Sequence, residues 1–157
     1  MAFNDDNGGF MFACDDAKMS ICASTWNTRL SQIGRATGPI FVMTGLLPDP
    51  DYISQIIGKR PRDFFIIANS DAEPEAQYLK RRYPNIRIVL HSKNNAKVVL
   101  VAPGTVWVSS SDFGKSDQIE SAVGMHSEVL YKKTLDKLFN RVWVESREVQ
   151  CRPMSDI

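Results

Sequence analysis

The chain has 157 residues, 43% of them hydrophobic and 24% charged, with a formal net charge of +1. That is the composition of one globular domain with a buried core. No run of about 18 apolar residues is present, which argues against a membrane-spanning helix, and the near-zero charge requires any anion-binding surface to be local.

Asp5 and Asp6 stand where a signal peptide places positive charge, and no long apolar core follows them, so a cytoplasmic location is expected. Cys14, Cys22 and Cys151 are odd in number, widely spaced and without a C-x-x-C pair. Small buried or half-buried thiols are expected from them, with no disulfide framework, no metal site and no cofactor.

Residues 10–13 (FMFA) and 19–22 (MSIC) are short apolar runs separated by Asp15 and Asp16, the pattern of an irregular hairpin in an otherwise unassigned segment, residues 1–24. Trp26, Leu30 and Ile33 then fall at helical spacing before Gly38 and Pro39. Residues 40–44 (IFVMT) read as a buried strand, and Asp49-Pro50-Asp51 as a helix start, with Tyr52, Ile53, Ile56 and Ile57 facing inward as far as Gly58. The alternation continues with a strand over residues 63–68 (DFFIIA), a charged amphipathic helix over 73–82 and a strand over 86–90 (IRIVL). Connections this short imply parallel strands with right-handed crossovers.

The order then changes. Residues 97–101 (KVVLV) and 105–108 (TVWV) flank Pro103-Gly104, which predicts an antiparallel hairpin. A polar loop over 109–118 precedes a short strand at 122–125. Ser127 caps a closing helix in which Leu130, Leu135, Leu138, Phe139 and Val142 face inward. The expectation is an α/β fold, with one domain over residues 25–145, a mixed, mostly parallel sheet flanked by helices, and a peripheral tail over 146–157. No internal repeat occurs, so any site is present once. Lys59, Arg60 and Arg62, and again Lys80, Arg81 and Arg82, cluster where helices end, a placement the helix dipole favours whatever the function; an anion-binding patch is the second reading.

The informative stretch is residues 94–112, NNAKVVLVAPGTVWVSSSD. Its spacing resembles the phospholipase D superfamily motif H-x-K-x4-D-x6-G-S-x-N. Lys97 and Ser110 match; Asn95 stands at the histidine position, Ala102 at the aspartate, Ser109 at the glycine and Asp112 at the asparagine. Strand periodicity turns Asn95 and Lys97 to one side, and likewise Ser110 and Asp112 if the second strand extends past Val108. Glu120 follows at a distance where family members often carry a glutamate. The resemblance runs from about Ile40 to Trp143.

The resemblance implies a short, single-motif, nuclease-like half-domain and a metal-independent phosphodiesterase acting on DNA or RNA. In that chemistry one histidine attacks phosphorus and a second, from the other motif, protonates the leaving oxygen, while lysines hold the non-bridging oxygens. A chain with one motif borrows the second from a copy of itself, so a homodimer with its site on the two-fold axis is implied. Candidate catalytic positions are Asn95, Lys97 and His91; candidate substrate-binding positions are Ser110, Asp112 and Glu120.

A carboxamide at position 95 neither attacks phosphate nor titrates near neutral pH. Three readings stay open: a protein that binds a phosphodiester without cleaving it, an inactivated form of a sequence reading NHAKVVLV, or an imidazole supplied by His91. His91-Ser92-Lys93 itself spells H-x-K, but in that register Val98 takes the aspartate position and Ser110 falls four residues too far on, so Asn95 and Lys97 are the preferred register. His126, beside the cap Ser127, reads as structural or exposed. Trp107 reads as core or dimer-face packing. Nucleotide-binding glycine loops, a G-x-S-x-G elbow and an H-E-x-x-H helix are absent from the sequence. The short length, without an apolar interfacial segment, favours nucleic acid over a membrane surface.

Overall fold

The computed structural model describes residues 3–6, 8–21 and 37–150. The helix expected around Trp26, Leu30 and Ile33, together with Cys22 and Cys151, lies outside the described residues. The strands are β1 (Ala17–Ile21), β2 (Ile40–Met43), β3 (Phe64–Asn69), β4 (Arg87–His91), β5 (Val98–Val101), β6 (Thr105–Ser109), β7 (Ser121–His126) and β8 (Arg147–Glu148). They form one sheet in the order β1-β7-β6-β5-β2-β3-β4-β8. The helices are α1 (Pro50–Ile57), α2 (Glu73–Arg82), and a closing run of α3 (Glu128–Thr134), a π-helical stretch (Leu135–Phe139) and α4 (Asn140–Val144).

Local chemistry accounts for most of these boundaries. Asp49 sits in the left-handed region at φ 57, which aspartate tolerates, and its carboxylate accepts the Tyr52 N–H at 3.2 Å while Pro50 opens α1. Ser127 caps α3 by accepting the Leu130 N–H at 3.2 Å. Lys80, in the last turn of α2, donates to the carbonyls of Pro84 at 2.9 Å and Ile86 at 2.6 Å. That contact ties the helix end to the approach of β4, which is the structural reading of the basic cluster.

The sheet is mixed, as expected, but its balance is antiparallel rather than mostly parallel: β2–β3 and β3–β4 run parallel and the other five neighbouring pairs antiparallel. The reason is the connections. Helices link β2, β3 and β4, whereas β5 to β6 turns directly back across Pro103-Gly104 and β7 continues the meander. The central strands are buried on both faces, so they read as continuous apolar runs without alternation. Ile53, Ile56, Ala76 and Leu79 of α1 and α2 cover one face against Ile66, Ile88 and Val99. Leu130, Tyr131, Phe139 and Trp143 of the closing run cover the other against Phe41, Phe65 and Leu100.

Two expectations about the ends are overturned. Among the described residues no strand forms over 10–13 to complete the N-terminal hairpin; β1 pairs instead with β7, from Ala17 opposite Met125 to Ile21 opposite Ser121. The tail is not peripheral over its first residues: β8 pairs with β4, Val149 is fully buried, and its N–H donates to Ile88 O at 2.8 Å. Neither segment reveals its partner in its own residues, because each pairs with a strand distant in sequence. Among the described residues no helix is long and apolar enough to cross a membrane.

Candidate functional site

The site is built on the two residues that follow β2. Thr44 is buried, and its carbonyl and hydroxyl are both engaged. Its carbonyl accepts from Asn94 Nδ2 at 2.7 Å, its hydroxyl accepts the Phe113 N–H at 2.9 Å, and the same hydroxyl donates to Leu46 O at 2.7 Å. One threonine thereby ties two loops, residues 92–97 and 109–118, to the end of the central strand. Gly45 follows, and its N–H donates to Asp112 Oδ1 at 2.9 Å. A Cβ at position 45 would lie 3.0 Å from that oxygen and 3.2 Å from Asn95 Oδ1, so glycine is what lets the loops close over it.

Asn94 holds the first loop. Besides donating to Thr44 it accepts the Ala96 N–H at 3.3 Å, and its carbonyl accepts from Asn69 Nδ2 at 2.9 Å. These bonds leave Asn95 exposed and Lys97 half-buried just before β5. The Lys97 ammonium donates to Asn95 Oδ1 at 3.0 Å and lies 3.9 Å from Asp112 Oδ1. Asn95, Lys97 and Asp112 therefore converge, and the one cation of this trio faces one carboxylate. With its oxygen turned to Lys97, the Asn95 amide nitrogen has no hydrogen bond among the described residues and faces outward with two N–H donors.

The other sequence-derived positions make no hydrogen bond or ion pair with the trio among the described residues. Because β6 stops at Ser109, strand alternation does not carry Ser110 and Asp112 to a shared partner. The Ser110 hydroxyl accepts the Ser121 N–H at 3.0 Å, joining the loop to β7. Glu120 is half-buried just before β7 and makes no hydrogen bond or ion pair among the described residues. Ala102 is at the far end of β5 from Lys97, in a cis peptide with Pro103.

Neither imidazole joins the trio. His91 ends β4 in step with Val89, on the face covered by the closing run, whereas Lys97 is in step with Val99 on the opposite face. The His91 Nδ1 accepts the Lys93 N–H at 3.1 Å, which leaves Nε2 to donate to Glu145 Oε2 at 3.3 Å. His126 is opposite Thr105, at the far end of β6 from the site, and pairs with its hydroxyl at 2.9 Å.

The trio presents donors to an anion, namely the Lys97 ammonium and the Asn95 amide, and it contains no imidazole. Among the described residues no three His, Cys, Asp or Glu side chains are grouped to hold a metal ion. Sequence reasoning missed Thr44, Gly45 and Asn94. Gly45 carried a signal, a glycine directly after an apolar strand, but nothing in Asn94-Asn95 distinguishes the anchor from the exposed residue.

Compared with solved structures, the fold matches Nuc from Salmonella typhimurium, a phospholipase D family member, with TM-score 0.71 and 18% identity over 86% of this chain and 99% of that one. NucT from Helicobacter pylori matches with TM-score 0.71 and 15% identity, over 85% and 99% of the two chains. TrmBL2, an archaeal chromatin protein described with a novel mode of DNA binding, matches with TM-score 0.63 and 12% identity, over 85% of this chain and 54% of its own. No protein-family model matches the sequence, and neither does any curated protein. At these identities the likeness establishes the fold: this chain has the α/β fold seen in the phospholipase D family member Nuc.

Proposed function

We propose that this chain is a nuclease-type phosphodiester-binding protein that holds DNA or RNA as a homodimer and is disabled for cleavage at Asn95. The observation that carries the reading is the hydrogen bond from Lys97 to Asn95 Oδ1 at 3.0 Å, with both imidazoles of the chain bonded elsewhere. A lysine and an amide N–H pair supply the anion-holding half of the family's chemistry. The two imidazoles, nucleophile and general acid in that chemistry, are the half that is missing from the trio. Dimerisation follows from the single motif, since two copies are needed to clamp a phosphate from both sides. Ser110, Asp112 and Glu120 would then border the bound strand, with Asp112 reducing the pocket's positive field.

The test is cleavage and binding of single- and double-stranded DNA and RNA in excess chelator. Binding without cutting is expected, with metal-independent cutting appearing in Asn95→His. Lys97→Ala should weaken binding by about tenfold or more and reduce the slope of log affinity against log salt by roughly one for each phosphate it no longer neutralises. Cutting by the unaltered chain that disappears in His91→Ala would instead assign the imidazole to His91. A silent Asn95→His together with unchanged binding in Lys97→Ala would overturn the pocket.

A further inference from the structure

A second group of polar side chains lies at the other end of β6, on the wing formed by β6, β7 and β1. Cross-strand register builds it. His126 is the partner of Thr105, and its N–H donates to the Asp16 carbonyl at 3.0 Å, which places Asp16, His126 and Thr105 in one row. Lys18, Gly124 and Trp107 form the next row. Alternation along β1 puts Asp16, Lys18 and Ser20 on one face, and between these rows is a cavity of about 180 Å³.

Gly124 sets its floor. A Cβ there would come within 2.6 Å of the Trp107 ring, so the indole lies flat across the β7 backbone, where only glycine leaves room. Thr105 sets the orientation of the imidazole. With Nδ1 held by the Thr105 hydroxyl at 2.9 Å, Nε2 turns towards Asp16 Oδ2, yet the two are 4.0 Å apart, beyond a direct hydrogen bond. Imidazole and carboxylate thus both address the space between them. Lys18 and Ser20 have no side-chain hydrogen bond or ion pair among the described residues.

These groups prescribe the ligand's chemistry. A carboxylate accepts at one side, an ammonium two residues along the same strand donates about 7 Å away, and an aromatic ring lies beneath. Whatever fills the cavity is flat, with N–H donors on one edge and acceptors on the other. Pockets for drug-sized ligands run to about 300 Å³ and above, so a single ring system fits here and a whole nucleotide does not. Guanine meets the pattern: its N1–H and N2–H groups lie side by side for a carboxylate, and its O6 and N7 accept from a lysine. Adenine offers one amino group flanked by acceptor nitrogens that a carboxylate repels, and a free phosphate would meet Asp16 unfavourably. We propose that the cavity bounded by Asp16, Lys18, Thr105, Trp107 and His126 is a binding site for a guanine base.

Guanosine, adenosine, cytidine and uridine titrated against the full chain, followed by calorimetry and by the His126 imidazole resonances, test this. Guanosine should bind at least tenfold more tightly than the other three and shift the His126 signals. Asp16→Asn should remove about tenfold of that affinity while leaving thermal unfolding unchanged, since Asp16 is on the surface. Guanosine monophosphate and an oligonucleotide with one guanine distinguish the source: tighter binding of the oligonucleotide identifies a base in a strand, and equal binding a free nucleoside or nucleotide. No binding, equal binding of the four nucleosides, or an unaffected Asp16→Asn variant would overturn the site. Nucleosides carry no phosphate, so failure here and failure of the Lys97 pocket are read separately.

Discussion

The two halves of the sheet solve different problems. In the half formed by β2, β3, β4 and β5, helices cover both faces, and Phe64, Ile66 and Ile67 are fully buried. In the wing, Met19 is 60% exposed, Ile21 81% and Val108 45%. The covered half can fix the loops above it, because Thr44, Gly45 and Asn69 are held in strands or directly at strand ends by packing from two sides. The wing is covered less completely: Val106, Trp107 and Ala122 are buried, but its polar groups face an open cavity. Rigid anchoring of backbone therefore belongs to the Lys97 pocket, and exposed, spaced side chains belong to the site beside Trp107.

Deletion of the same kind of side chain in the two halves gives the largest contrast. Ile66→Ala should cost about 2–5 kcal/mol in chemical denaturation, through lost burial and the cavity left behind. Met19→Ala should stay within about 0.5 kcal/mol. Comparable losses would break the contrast and make the wing part of the core.

Asn94→Ala probes whether the covered half truly anchors the pocket. Without the Asn94 side chain the buried Thr44 carbonyl has no other donor among the described residues, at a cost of about 1–3 kcal/mol. Nucleic-acid affinity should fall in the same variant, because Asn95 and Lys97 lose their loop geometry. Stability that drops while affinity holds would show that the loop keeps its shape without the anchor.

A still smaller effect separates the dry half by pH. Burial pushes the Tyr131 phenol above its ordinary value. With the folded-state value raised, the neutral phenol is favoured in the fold, and stability present below about pH 10 is lost as pH rises further. Tyr131→Phe should flatten that alkaline decline when unfolding is compared at neutral and high pH. An unchanged slope would place the alkaline sensitivity elsewhere.

Legibility of the molecule followed the range of the forces involved. Strand periodicity, the Asp49-Pro50 helix start and the Pro103-Gly104 turn depend on neighbours a few residues apart, and the elements they predict are present with boundaries shifted by a residue or so. What was not legible is set by partners distant in the chain. β1 could not reveal that its partner is β7, nor residues 147–149 that they complete the edge beside β4.

The pocket divides in the same way. By itself the sequence determined the covered strands, the hairpin and the pairing of Lys97 with a carboxamide instead of an imidazole, all consequences of residue type and local spacing. Tertiary structure alone decided that Asn94 is buried and Asn95 exposed, that Asp112 rather than Ser110 meets Lys97, and that His91 turns to Glu145. Those choices depend on where Thr44 and the closing run sit when the sheet is assembled. Packing between distant elements, which residue spacing does not encode, makes them.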